Sequence, residues 1–309
     1  MDGEESSRQV PRLASTLILL RTDEWGQALV YLLRRSPQSR FMPNLYVFPG
    51  GTVHPLDRDP SIWQDHLDQD PEEALRRLSE GLLPEDAIGH VICAIRETFE
   101  EAGVLMCENV LPYQVWRGRR GAFHHSARWF RDMVLDEGLR LSVSALAPFA
   151  HWVTPVIQQM RFDTRFFIAL HPEGQVCSPD PVETVDGKWT KPKEALLGNH
   201  RGILPLSPPT LVTLWEIMRL EEEGGLGSLL ERTSWGEVRL PRTVRTRWGP
   251  LLLMPWDPEY HDEISFSQVQ AIGSRPSGAF LPIDIQRGYL DTRQNVKCLV
   301  KKDFARILR

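Results

Sequence analysis

The chain has 309 residues, 41% of them hydrophobic and 25% charged, with a formal net charge of −5. A core of useful size is within reach at this length, as one enlarged domain or a domain with an appendage. The acidic balance excludes an overall basic field that draws a chain to nucleic acid or an anionic membrane. No apolar run approaches the roughly 20 residues that span a bilayer.

The four cysteines, Cys93, Cys107, Cys177 and Cys298, form no Cys-x-x-Cys pair. A zinc site built on paired cysteines is not expected, and their scatter suits a reducing compartment. Asp2, Glu4 and Glu5 do not look like a leader. The final Ile307-Leu308-Arg309 is not a plain Ser-Lys-Leu address. A cytoplasmic location is the expectation, with the peroxisome as the alternative.

In chain order, residues 1–11 are polar and read as a mobile terminus. Leu13–Leu20 and Ala28–Arg34 read as strands joined at Trp25-Gly26. A short strand, Leu45–Phe48, runs into Pro49-Gly50-Gly51 and a tight loop. Residues 58–84 look like an insertion with a helix over Pro71–Leu82, opened by Pro-Glu-Glu. The next helix starts at Pro84-Glu85-Asp86 and stops at Gly103. Residues 109–147 read as irregular to helical. His151–Pro155 and Phe162–Leu170 read as strands, and 180–189 as a loop and a strand ending in Trp189. A short helix follows over Lys193–Leu197. Pro205–Pro209 breaks the chain, and Thr210–Glu223 is a further helix. Glu237–Arg247 and Leu251–Trp256 read as a hairpin about Gly249-Pro250. Residues 257–309 carry no readable pattern.

The helix from Pro84 carries the chemistry. Ile88, Ile92, Ile95 and Phe99 share one narrow face at about 100° per residue, and Glu97, Glu100 and Glu101 fall opposite. Three like charges at i, i+3 and i+4 meet on one surface and repel. A solvated acidic face is the ordinary reading of such a cluster. A hard cation, Mg²⁺ or Mn²⁺, would relieve the repulsion through oxygen-only ligands, clamp a diphosphate and help activate water. The glycines of Pro49-Gly50-Gly51 let backbone approach a ligand closely.

Arg96-Glu97-Thr98-Phe99-Glu100-Glu101-Ala102-Gly103-Val104 resembles the second half of the Nudix box, with Thr98 where that family usually has an aliphatic residue. Gly51 matches the opening glycine of the box, and Asp57 stands where the family has Glu. The box is then split by about 31 extra residues before Arg96. A split box is similar to the Nudix branch that includes the peroxisomal coenzyme A diphosphatase. Phe48-Pro49-Gly50-Gly51, His151-Trp152-Val153-Thr154-Pro155, Arg161 to Phe167 and Trp256 to Tyr260 also look like that branch.

The resemblance implies an α/β fold, a Nudix α/β/α sandwich with a mixed sheet. The domain would cover 12–260 with a helical insertion at about 58–88, followed by a C-terminal extension at 261–309. By analogy Glu97, Glu100 and Glu101 are metal ligands, near the backbone carbonyl of Gly50 or Gly51. Arg96 orients the glutamates, and its ordinary alternative is a simple i,i+4 pair with Glu100. The general base is a box glutamate, Glu100, or a loop acid, Glu183, whose ordinary alternative is a surface carboxylate. Gly50, Gly51, Arg161 and Arg165 are the substrate-binding candidates, with salt bridging the alternative for the arginines.

His54 is a weaker phosphate candidate. Adjacent His124 and His125 point apart on a helix and read as solvated. Phe162, Phe166 and Phe167 read as core. The implied partner is a small-molecule diphosphate, with no nucleic acid and no membrane, and a homodimer by analogy. Coenzyme A or its acyl esters are the first expectation. NADH, ADP-ribose or a nucleotide sugar are the alternative, and a non-catalytic Nudix-fold module is a further one.

Overall fold

The computed structural model describes residues 10–108, 126–246, 249–256 and 260. The N-terminal nine residues, His124-His125 and the extension from 261 lie outside them. The main sheet contains β1 (Arg12–Thr22), β2 (Ala28–Arg35), β3 (Tyr46–Val47), β4 (Gly50–Thr52), β5 (Ala147–Val153), β6 (Phe162–Leu170), β7 (Thr184–Thr190) and β8 (Val238–Arg239). Its order is β3-β2-β1-β6-β5-β8, with β4 also on β1 and β7 also on β2. The β1/β6 and β5/β8 pairs are parallel and the others antiparallel, so the sheet is mixed as expected.

Strand alternation divides the core in two. Leu17, Leu19, Leu33 and Phe167 pack with Ile88, Ile92, Ile95 and Phe99, the apolar stripe of α3 (Pro84–Ala102). Their neighbours Ile18, Leu20, Leu32, Phe166 and Ile168 point the other way. They meet α5 (Pro192–His200) and α6 (Pro208–Leu230) through Leu196, Leu211, Leu214 and Ile217. Each such fully buried side chain contributes about 1.5–3 kcal/mol. The three layers match the expected α/β/α arrangement.

The insertion is part of the same core. Its helices α1 (Pro60–Trp63) and α2 (Pro71–Leu78) place Trp63, Ala74 and Leu78 against the cluster that holds α3. α2 stops four residues before the expected Leu82, because Glu80 and Gly81 both take positive φ. From the stretch 109–147, α4 (Ala127–Asp136) also adds Phe130, Met133 and Val134 to it.

Other differences have local causes. β5 begins at Ala147, not His151, because Ala147, Phe149 and Ala150 are all buried and a register irregularity absorbs Pro148. Ser207 caps Thr210 and so starts α6 two residues earlier than expected. Glu237–Arg247 is not one strand. Pro241 interrupts it, leaving β8 beside β5 while β9 (Arg242–Thr246) pairs with β10 (Gly249–Leu253). Among the described residues no helix is long and apolar enough to cross a membrane.

Where β1 and β2 splay apart, the segment 46–52 enters. β1 pairs with β2 only at Leu20–Thr22 and with β4 at Ala14–Thr16, and β3 joins β2 at Leu33 and Arg34. Leu17 N–H donates to the Pro49 carbonyl at 3.0 Å. That insertion holds the Pro-Gly-Gly bend inside the sheet.

Candidate active site

α3 delivers the acidic triplet to this bend. Gly103 ends the helix at φ 72° and donates to Phe99. Two further C-terminal carbonyls are occupied from a later loop: Ser178 N–H donates to Ala102 O at 2.7 Å, and Asp180 N–H to Glu101 O at 2.9 Å. The loop that holds Glu183 is thereby tied to the turn that holds Glu101. Thr98, the departure from the usual aliphatic residue, is fully buried and donates its hydroxyl to Ala94 O at 2.7 Å.

Glu100 and Glu101 are buried and Glu97 nearly so. Glu101 Oε2 accepts from Gly50 N–H at 2.9 Å. The Glu97 carboxylate lies against Gly51, where a β-carbon would come within 2.4 Å of it. Arg96 stands among the acids. Its Nε and Nη2 donate to the two Asp57 oxygens at 3.0 and 2.7 Å, Nη1 to Glu97 at 2.7 Å and to Glu100 at 3.4 Å, and Nη2 also to Thr52 O. The simple i,i+4 pair with Glu100 is therefore the longest of its carboxylate contacts. Asp57, which belongs to the first half of the box, is rejoined to the second half through this guanidinium. Asp57 also accepts from His54 N–H at 2.8 Å, so His54 caps a short helical turn here.

Charge is not balanced in this space. Asp57, Glu97 and Glu100 surround Arg96, and Glu101 sits on the Gly50 side, where Arg35 is the cation that acts on it. Burial opposes the charge on Arg96, but Glu97 and Asp57 outweigh it and hold the guanidinium protonated more firmly than usual. Burial raises Glu97, with Arg96 opposing. Burial and then the charge of Glu97 push Glu100 up to about 7 and Glu101 up to about 8. As these side chains stand, no three Asp, Glu, His or Cys groups among the described residues close round a metal position. They turn to Arg96 and to Gly50 N–H instead. The donor set still fits a hard divalent cation: it is all oxygen, buried, and has more carboxylates than the arginines beside it.

A cavity of about 750 Å³ opens beside the triplet. Gly50, Gly51, Glu97, Glu101 and Glu183 line one part of it, with Arg35 and Arg40 also on the wall. Glu183 is set by Asp180, whose carboxylate accepts from Val182 and Glu183 N–H. Glu100 is not on the cavity wall; it remains with Arg96. Phe162 and Phe166 line the cavity while Phe167 is core on the other face.

Neither Arg161 nor Arg165 lines the cavity. Arg161 donates to Thr154 O, and Arg165 lies 4.9 Å over the Trp235 ring on the face of the sheet that carries α3. Odd positions of β6 face away from the cavity that Phe162, Thr164 and Phe166 line, which turns Arg165 from it. Arg35 and Arg40 had drawn no attention in the sequence. Arg35 is held by Ser39 Oγ and Phe41 O, and only its place next to the splayed strands brings it to the acids.

A mixed sheet between helical layers, with an Arg-Glu…Glu-Glu-x-Gly helix packed on a Pro-Gly-Gly bend, defines the Nudix hydrolases. The chain belongs to the NUDT19 Nudix domain family, which matches residues 12–220. It is similar to the acyl-coenzyme A diphosphatase NUDT19 of Homo sapiens, at 29% identity covering 76% of this chain and 73% of that protein. The Xenopus laevis protein of the same name is 30% identical, with 62% of this chain and 59% of that one covered. A NUDIX hydrolase structure from Alicyclobacillus acidocaldarius shares the fold, with a TM-score of 0.55 and 24% identity over 75% of this chain and 100% of that one. The chain is thus a Nudix pyrophosphohydrolase, in the branch that its split box resembles. Nudix hydrolases generally use divalent metals.

Proposed function

We propose that this chain hydrolyses the diphosphate bond of coenzyme A or an acyl-coenzyme A, releasing 3′,5′-ADP and free or acylated 4′-phosphopantetheine. One observation carries the proposal. A single cavity joins carboxylates and glycine backbone at Gly50, Gly51, Glu97, Glu101 and Glu183 to an apolar lobe of Phe41, Trp152, Phe162, Phe166 and Leu252. A charged diphosphate with a long, largely apolar arm needs both. The relatives' printed names support the same substrate.

In this reading Glu97, Glu100 and Glu101 hold Mg²⁺ or Mn²⁺. Such an ion, when bound, offsets charge on the phosphoryl oxygens and lowers the pKa of a bound water. Arg96 keeps Glu97 and Glu100 oriented through charge-assisted hydrogen bonds. Glu183 takes the proton of the attacking water as general base, its backbone steadied by the Asp180 turn. Gly50 and Gly51 admit the diphosphate close to the main chain. Arg35 and Arg40 supply the cations for phosphoryl oxygens, the part the sequence had assigned to Arg161 and Arg165.

The test is a substrate panel with Mg²⁺ containing coenzyme A, an acyl-coenzyme A, NADH, ADP-ribose and a nucleotide sugar, with products separated by chromatography. Coenzyme A and its acyl ester are expected to give the highest kcat/KM. Faster turnover of NADH or ADP-ribose would move the assignment to the other diphosphates, and binding with no turnover of any would assign a non-catalytic module.

A further inference from the structure

Arg35 closes β2, and the chain reverses directly after it. Ser36-Pro37-Gln38-Ser39 is a turn with Pro37 at the position that favours proline, and Ser39 N–H donates to Ser36 O at 3.0 Å. Ser36 N–H in turn donates to Glu183 O at 2.9 Å. The turn is thus hung from the loop that carries the candidate base.

Within this turn one hydroxyl takes hold of the Arg35 guanidinium. Ser39 Oγ accepts from Nε at 3.1 Å and from Nη2 at 2.9 Å, and it donates to Phe41 O at 2.9 Å. A hydroxyl has two lone pairs and one proton, and all three are in use. Phe41 O also accepts from Arg35 Nε at 3.1 Å, so Arg35, Ser39 and Phe41 form a closed triangle. Two nitrogens on one edge fix the plane of the guanidinium. Its Nη1 makes no hydrogen bond among the described residues, yet it is not one of their buried unpaired atoms, so it is open to a ligand. Arg35 lines the cavity and Ser39 does not. Phe41 meets Phe162 edge to face at 5.0 Å in the apolar lobe, so the same short loop touches both halves of the cavity. An arginine left free would give up much of its rotamer entropy on gripping an anion, and one already held gives up little.

We infer that Ser39 is a positioning residue whose hydroxyl holds Arg35 so that Nη1 meets an oxygen of the diphosphate, without itself touching substrate. The inference rests on the reading of Arg35 as a phosphoryl contact and deepens it. It requires a diphosphate and no particular arm.

The experiment measures the Kd for imidodiphosphate, a diphosphate whose bridge resists hydrolysis, at saturating Mg²⁺, together with kcat and KM for coenzyme A. The proteins are the wild type, Ser39→Ala, Ser39→Thr, Arg35→Lys and the double variant Arg35→Lys with Ser39→Ala. Ser39→Ala is expected to weaken imidodiphosphate about 10-fold and to lower kcat/KM by a similar factor, the size of one lost charge-assisted hydrogen bond. Ser39→Thr keeps the hydroxyl and is expected to stay within about 3-fold of the wild type. Arg35→Lys is expected to lose at least as much as Ser39→Ala. A lysine cannot be gripped as a fork, so adding Ser39→Ala to Arg35→Lys is expected to cost less than about 2-fold more. A role confined to the fold of the turn predicts instead the same loss from Ser39→Ala in either background. That result overturns the inference, as does wild-type affinity in Ser39→Ala or an equal loss in Ser39→Ala and Ser39→Thr. If Arg35→Lys binds imidodiphosphate as the wild type does, Arg35 is not a diphosphate contact and the inference falls with it. If coenzyme A is not turned over, the coenzyme A reading fails on that measurement, and the imidodiphosphate constants still decide the part of Ser39. Ser39→Cys keeps the side-chain volume without a strong acceptor. The same losses are expected of it, and wild-type affinity in it overturns the inference even if Ser39→Ala does not fold.

Discussion

Arg96 and Asp57, 39 positions apart in the chain, form a buried two-pronged ion pair with Nη2 2.7 Å from Oδ2. The relative exposures of the two side chains are 5% and 1%. Removing the Asp57 charge weakens two charge-assisted hydrogen bonds of a guanidinium that keeps Glu97 and Glu100, at about 1.5–3 kcal/mol. Asp57→Asn is therefore expected to lower stability by about that amount in urea unfolding. It is also expected to lower kcat/KM, because Glu97 and Glu100 lose their fixed arginine. A variant as stable and active as the wild type would show that the split box is not rejoined through this pair.

The two glycines of the bend predict opposite phenotypes. A β-carbon at Gly50 would come within 2.4 Å of Ser15 O and 2.8 Å of Thr16 Cα, both backbone. Gly50→Ala should therefore cost folding stability, about 1–3 kcal/mol as in other overpacked sites. A β-carbon at Gly51 meets the Glu97 carboxylate instead, and a side-chain end yields more easily than a strand. Gly51→Ala should melt near the wild-type temperature but lose about 10- to 100-fold in kcat, since a displacement near 1 Å in a reacting constellation costs that much. Matching loss of Tm in both variants would contradict the placement of Glu97.

Metal removal and pH are linked through Glu100 and Glu101. Their folded values, about 7 and about 8, lie above the ordinary carboxylate value of 4.5. The folded protein therefore holds more protons than the unfolded chain between these limits, and stability must fall as pH rises through that window. In EDTA the Tm should decline from pH 5 to pH 8. Saturating Mg²⁺ should flatten that decline, and its addition at pH 7 should release protons measurable in weak buffer. A pH-independent Tm in EDTA, or metal binding without proton release, would contradict this coupling.

His90 works in the opposite sense at lower pH. It is fully buried, with Nδ1 3.0 Å from Ser15 Oγ and 3.1 Å from Ala14 O. Burial first, then the charge of Arg165, lowers its pKa to about 4. The unfolded chain takes up the proton near pH 6.5 and the folded one does not, so stability is lost as pH falls from 6.5 to 4. The full loss is roughly 3 kcal/mol. His90→Gln should be less stable near pH 7 but show a smaller acid loss, read from urea midpoints at pH 4.5 and 6.5. Parallel acid limbs for both proteins would remove His90 from the account.

The helix Pro84–Ala102 was legible without coordinates because its signals are local: Pro and acids at one end, Gly103 at the other, and an apolar stripe at a period of 3.6. The same periodicity put Glu97, Glu100 and Glu101 opposite Ile88, Ile92, Ile95 and Phe99. Arg161 and Arg165 were harder. They flank an aromatic strand in either reading, and only the register of β6 against β1 shows that Thr164 and Phe166, not Arg165, face the cavity. Arg35 carried no signal of its own, and Trp152 stood out only within the His151–Pro155 segment of the resemblance. Each reaches the cavity through strand pairing with residues far off in the chain.

From the sequence alone came the family, the acidic triplet and the glycine bend, since these depend on neighbours within a few residues. The three-dimensional packing alone decided that Asp57 meets Arg96 across the insertion. It also decided that Glu183 joins Glu97 and Glu101 on one wall, and that Trp152 lines the same cavity. Side-chain spacing within a turn is set by local geometry, whereas these meetings depend on long loops closing and on the face each strand presents, which no short stretch of residues encodes.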